Sequence, residues 1–325
     1  MSHTRQVTMI TQRKLGKSDI AISPLVFGTN VFGWTTNDEM TFRLLDHFTE
    51  MGFNAIDTAD VYSSWVDGLE GGESEKAIGR WLKKNNKRDK IILATKVGAE
   101  LTSSKRGLSK AYIIAAVEDS LRRLQTDYID LYQSHYDDPN IPIEETLEAY
   151  QTLISAGKIR IIGASNFTAD RLKLALECSI ENALPRYETF QPEYNIFDRV
   201  NFEKNIKPIT SANDVSVISY FSLASGFLTG KYRTEADLEG RKRSGFVEKY
   251  MTDRGFGILN AIDDVSIKHN CNPAVISIAW TLANSGVTAP IASATSIAQL
   301  NELISAVHLV LDEDDLNLIN AASAT

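Results

Sequence analysis

"NAIDTADVYSS", residues 54–64, joins an apolar run ending in an acid to a loop carrying a phenol. Asp57 closes the run and Tyr62 follows five residues later. Taken alone, the segment also suits a helix or turn start, where Asp and Ser side chains accept from nearby backbone N–H groups. Its meaning comes from the rest of the chain, where the same grammar recurs.

Strand-length runs rich in Ile, Val, Leu and aromatics are PLVFG (24–28), FNAID (53–57), KIILATK (90–96) and YIDLYQSH (128–135). KIRIIGAS (158–165), ETFQPEY (188–194), VSVISYF (215–221) and VTAPIAS (287–293) follow. Amphipathic stretches lie between them. Ile113, Val117, Leu121 and Leu124 share one face of a predicted helix over 109–124. Ile143, Leu147, Tyr150 and Ile154 do so over 142–155, with Pro142 placed to open the helix.

Strands alternating with helices predict a parallel sheet covered by helices, and near-continuous apolar strands predict burial on both faces. Eight such units in 325 residues most simply close into a (β/α)8 TIM barrel, with residues 1–325 as a single domain. A doubly wound open sheet is the alternative. RKLGKSDIAIS (13–23), with Gly16 at its turn, is expected to form a β-hairpin plugging the barrel floor. Residues 222–253 form a long, glycine-punctuated connection after the seventh strand, basic in its middle. Connections of that length inside a compact domain are usually functional or disordered, and barrels often bind phosphate at this point.

Composition narrows the function classes. The chain is 43% hydrophobic and 23% charged, with a net charge of −8, which disfavours a general nucleic-acid or anionic-membrane surface. Cys178 and Cys271 form neither a CxxC pair nor a disulfide framework, which suits a reducing, cytoplasmic setting. The N-terminal residues lack an apolar core of signal-peptide length, and no run is long enough to span a bilayer.

A barrel places its chemistry at the C-terminal ends of its strands. Asp57 ends the second run, Tyr62 follows in its loop, Lys96 ends the third and His135 the fourth. Each has a plainer explanation as a solvated or hydrogen-bonded strand end. Four groups on one rim make coincidence a weaker account. GxGxxG after a strand, a complete P-loop, HExxH and clustered Cys/His ligands are all missing, which disfavours a Rossmann nucleotide fold and a metal site.

DTADVY (57–62), LATK (93–96), YQSH (132–135), GASNF (163–167), QPEYN (191–195) and GFLTGKY (226–232) together resemble the aldo-keto reductase superfamily, in order, from about residue 13 to residue 310. The resemblance implies an NAD(P)H-dependent reduction of an aldehyde or ketone, or its reverse, without a metal. Tyr62 would be the general acid, Lys96 would lower its pKa, Asp57 would pair with Lys96, and His135 would orient the carbonyl. Ser165, Asn166 and Gln191 would hold the nicotinamide carboxamide, and Tyr220 would stack on its ring. Ser222, Leu223, Gly226, Leu228 and Lys231 would surround the pyrophosphate, with the 222–253 connection as cover and its basic 240–245 segment as a clamp.

Two departures stand out. Where many relatives carry basic residues for the adenosine 2′-phosphate, this chain has Ser293, Thr295 and Gln299; these can still hydrogen-bond a phosphate, so NADPH is expected, and the missing charge leaves NADH as a possibility. YFSLAS (220–225) replaces the Tyr-Ser-Pro-Leu of many relatives. Phe32, Trp34, Trp65 and Tyr136 are expected to form an aromatic mouth for a small carbonyl or alcohol substrate. The resemblance also admits a cofactor-binding regulatory subunit with slow catalysis. A metal-dependent barrel enzyme would require ligands that the sequence does not cluster.

Overall fold

The computed structural model describes residues 10–240 and 244–324. Strands β1 (Arg13–Lys14) and β2 (Ala21–Ile22) pair antiparallel as the expected hairpin. The barrel strands are β3 (Val26–Gly28), β4 (Ala55–Asp57), β5 (Ile92–Val97), β6 (Ile129–Ser134), β7 (Ile159–Ser165), β8 (Tyr187–Gln191), β9 (Ser216–Ser219) and β10 (Ala289–Ala292). They run in the closed order β10-β3-β4-β5-β6-β7-β8-β9. Every neighbouring pair is parallel, and β10 closes the ring by pairing with both β3 and β9. All eight expected runs are in the ring, and the open-sheet alternative falls away.

Strand alternation creates two apolar layers. Outward residues such as Leu93 and Val97 of β5 pack beneath the helices, whereas inward Ala94 fills the barrel. The helix Lys110–Leu124 buries Ile113, Val117, Leu121 and Leu124, and its N-cap Ser109 accepts from the Tyr112 amide. The helix Ile143–Ser155 follows Pro142 at its N-cap and buries Ile143, Leu147 and Tyr150, with Ile154 only partly covered. Each fully buried Leu or Ile contributes about 1.5–3 kcal/mol relative to exposure.

The hairpin closes the barrel floor. Leu15, Ile20 and Ile22 pack on the inward Val26, Ala55, Ala94, Leu131, Ile218, Ala289 and Ile291. Gly16 turns the hairpin at φ +56°, where an added Cβ would lie 2.7 Å from the Glu188 carbonyl oxygen. At the other end, the connection after β9 contains short 3-10 turns at Ala224–Thr229 and Glu235–Leu238 before the long helix Asp253–His269. The basic clamp expected at 240–245 depends on Arg241, Lys242 and Arg243, which lie outside the described residues. Among the described residues, no helix is long and apolar enough to cross a membrane.

Candidate active site

The rim opposite the hairpin carries the polar ends of the same strands. Asp57 ends β4 and Lys96 lies on β5, so parallel pairing of these neighbours brings them together. The Lys96 ammonium is fully buried and donates to Asp57 Oδ2 at 2.6 Å, to the Thr58 carbonyl at 2.8 Å and to the Tyr62 hydroxyl at 3.0 Å. Those three partners account for all three N–H groups of an ammonium. His135 follows the end of β6, and its ring centroid is 6.1 Å from that of Tyr62. The four residues expected to act together are thus neighbours.

Electrostatics fixes their protonation. Burial disfavours the Lys96 ammonium, but Asp57 and Tyr62 outweigh it and hold its pKa above the ordinary lysine value. Burial raises the Tyr62 phenol, and the Lys96 charge offsets this only in part. Lys96 lowers the phenol as expected, but burial outweighs it, so the net shift is upward and Tyr62 keeps its proton at neutral pH. Burial and then the Lys96 charge hold His135 well below the usual histidine range, leaving a neutral imidazole. Its Nδ1 is buried without a hydrogen-bond partner among the described residues.

The expected carboxamide set is drawn into the same centre. Gln191 ends β8 and donates to Asp57 Oδ1 at 3.0 Å. Ser165 donates to the Gln191 carbonyl at 2.8 Å. Asn166, held at φ +55°, donates to the His135 carbonyl and to Ser165, and accepts from the Tyr220 hydroxyl at 2.7 Å. One amide therefore joins the ends of three strands, β6, β7 and β9.

The expected pyrophosphate residues divide. Ala224, Ser225 and Gly226 all have positive φ, forming a tight left-handed turn, and Lys231 is exposed beyond it. Ser222 is buried and donates to the Ser219 carbonyl, while the Leu223 carbonyl accepts from the Gly226 and Leu228 amides. Leu228 is corrected to a core residue, because its side chain is fully buried and its N–H is already used. In the expected adenosine region, Ser293 donates to Asn30 Oδ1, and the Thr295 amide and hydroxyl both donate to Gln299 Oε1. Arg80 lines the same surface cavity as Thr295 and is held by two hydrogen bonds to Asp38.

Three of the four expected mouth aromatics gather at the rim. Trp65 is 49% exposed and meets Tyr62 edge-on at 5.6 Å and Trp34 at 6.3 Å; Tyr136 is 50% exposed and stacks on His135 at 4.9 Å. Phe32 does not join them. It is fully buried and packs edge-on against Phe27 at 5.6 Å, so core packing replaces its expected place in the mouth.

Sequence reasoning missed Gln133, a buried amide that donates to Asp57 Oδ1 at 3.1 Å. The signal was present in YQSH: a residue two before His135 on an extended strand shares its face. It missed Asp60 too, whose carboxylate oxygens are both buried without a partner among the described residues.

The sequence model of the aldo/keto reductase family matches residues 24–324. The chain is similar to the Bacillus subtilis aldo-keto reductase YhdN, at 33% identity over 97% of this chain and 92% of that protein. It is similar to the uncharacterized oxidoreductase YrpG of the same organism, at 33% identity over 94% of each chain. A Schizosaccharomyces pombe protein provisionally named as a voltage-gated potassium channel subunit beta is 30% identical over 92% of this chain and 88% of its own.

Proposed function

The chain belongs to the aldo/keto reductase family, and from that premise we propose an NAD(P)H-dependent oxidoreductase that interconverts aldehydes or ketones and alcohols, with Tyr62 as general acid and base. One observation carries the assignment of Tyr62. Because Lys96 donates to the Tyr62 oxygen, the hydroxyl hydrogen of Tyr62 is left to point at a ligand. As that proton passes to a developing alkoxide, the phenolate remains 3.0 Å from an ammonium that Asp57 keeps charged. Neutral His135 orients the carbonyl oxygen beside it.

The chain's own groups fit a nicotinamide coenzyme: Gln191 and the Tyr220 ring lie at the rim, and Lys231 follows the turn at Gly226. When bound, the coenzyme supplies the hydride. NADPH is favoured, with NADH as the second candidate, and Thr295 and Gln299 face the choice between them. Trp34, Trp65 and Tyr136 favour a small substrate with an apolar or ring-shaped body. The net charge of −8 and the two unpaired cysteines favour a cytoplasmic protein that acts on small molecules rather than on nucleic acid or membranes.

The test is Tyr62→Phe, assayed for coenzyme-dependent turnover of a panel of aromatic aldehydes. Turnover should fall by about 10²–10⁴ with coenzyme affinity kept. Unchanged turnover would remove Tyr62 from the chemistry. The resemblance to the fission-yeast protein favours a second reading, a regulatory subunit that binds coenzyme and turns over slowly. A stable partner complex together with a very slow hydride step would support it.

A further inference from the structure

Gln133 is fully buried beneath the rim and has no role in the chemistry described above. Its Nε2 donates to Asp57 Oδ1 at 3.1 Å, and its Oε1 accepts from Gln191 Nε2 at 3.3 Å. Gln191 Nε2 also donates to that Asp57 oxygen, at 3.0 Å. The other Asp57 oxygen faces the Lys96 ammonium at 2.6 Å, so the group is a carboxylate and can only accept. Both amides must therefore turn their nitrogens toward Asp57. The chemistry of the partners fixes this orientation. Gln191 spends one N–H on Asp57 and the other on Gln133. Its remaining polar atom, Oε1, accepts no hydrogen bond among the described residues.

We propose that Gln133 is a positioning residue for coenzyme selection: together with Asp57 it locks Gln191 so that an acceptor oxygen meets the substituent on the coenzyme ring. The proposal rests on the coenzyme reading above. A carboxamide satisfies the locked oxygen through its NH2 group. An acetyl group has no N–H or O–H donor to offer, and a nicotinic acid carboxylate sets oxygen against oxygen. Without the Gln133 acceptor, the second Gln191 N–H loses its buried partner and the amide is freer to rotate.

The test titrates NADP+, its 3-acetylpyridine analogue and its nicotinic acid analogue into the wild-type protein and Gln133→Met, followed by tryptophan fluorescence. The wild-type protein should bind the amide form at least about 10-fold more tightly than the acetyl form. In Gln133→Met the two should fall within about threefold of each other, with the amide form losing more affinity. Gln133→Glu keeps a donor toward Asp57 while protonated and an acceptor toward Gln191. It should retain the preference at low pH and lose it as the new carboxyl ionises, which covers the case in which the methionine variant folds poorly. Equal wild-type affinity for amide and acetyl forms would overturn the proposal alone. So would an undiminished preference in folded Gln133→Met. Failure of all three dinucleotides to bind would overturn the coenzyme reading and this proposal with it.

Discussion

The two ends of the barrel are made from the same eight strands and solve opposite problems. At the floor, Val26, Ala55, Ala94 and Leu131 point inward and meet Leu15, Ile20 and Ile22 of the hairpin, an apolar seal. Along the same strands toward the rim, the inward positions become Asp57, Lys96 and Gln133, completed by His135 just past β6. Two residues along β5, from Ala94 to Lys96, take the interior from hydrocarbon to ammonium. The floor stabilises by excluding water. The rim buries charge, and it tolerates this because the ammonium, the carboxylate and the amides around them satisfy one another. Damage to the floor should therefore cost stability alone, and damage to the rim should cost stability and chemistry together.

Lys96→Met is the sharpest way to break that contrast. It leaves Asp57 buried and charged without its counter-ion, so unfolding free energy should fall by about 3–5 kcal/mol. Carbonyl turnover should fall with it, because the Tyr62 oxygen loses its donor. Leu15→Ala should cost a comparable 2–5 kcal/mol or so through the cavity it leaves, yet keep coenzyme affinity and turnover nearly intact in the folded fraction. Denaturant melts paired with turnover per folded molecule separate the cases. A floor variant that lost chemistry selectively would erase the distinction between the two ends.

Asp60 sharpens the comparison from the rim side, because it is a buried acid with no side-chain partner among the described residues. Burial, then repulsion from Glu75, push its carboxyl up to about 8, with Arg123 and Lys96 pulling the other way. The Tyr112 and Tyr132 hydroxyls lie within its field. Between its ordinary value of 3.8 and about 8, the folded protein holds a proton that the unfolded chain has released. More protons bound in the folded state means that stability falls as pH rises through that window. Asp60→Asn removes the dependence, so its advantage over the wild-type protein should grow by about 1.4 kcal/mol for each pH unit from 6 toward 8. Paired melts across that range would show it, and parallel stability curves would mean that Asp60 is ionised in the folded protein.

The barrel was legible in the sequence because buried parallel strands write themselves as apolar runs, and the amphipathic helices between them repeat with a different period. The positions of Asp57, Lys96 and His135 were legible for the same reason, as polar residues closing such runs. What escaped was pairwise. Phe32 looked like any rim aromatic until Phe27 buried it, and Leu228 looked like a loop residue until its N–H found the Leu223 carbonyl. The sign of the net Tyr62 shift escaped because burial, joined by the Asp57 charge, competes with Lys96, and sequence does not quantify burial. Gln133 escaped because an amide inside a barrel strand reads as an interruption until its two partners arrive from β4 and β8.

The smallest effect lies farthest from the buried centre. Thr295 and Gln299 are exposed at the start of the helix Ile297–Ala306 and hydrogen-bond each other, so this part of the rim has neither the apolar seal of the floor nor the paired charges around Lys96. An arginine introduced at 295 would add a bidentate donor for a phosphate, in a place where water screens the charge. Thr295→Arg should shift the ratio of NADPH to NADH affinity by about tenfold toward NADPH, the yield of one charge-assisted hydrogen bond at a wet site. Stability should change by less than about 0.5 kcal/mol, as for a surface substitution. Separate titrations of the two coenzymes at two salt concentrations would read the shift, which should shrink at the higher one. An unchanged ratio would move the adenosine end of the coenzyme away from Thr295, and the Arg80 side of the adjoining cavity would be the next place to introduce a charge.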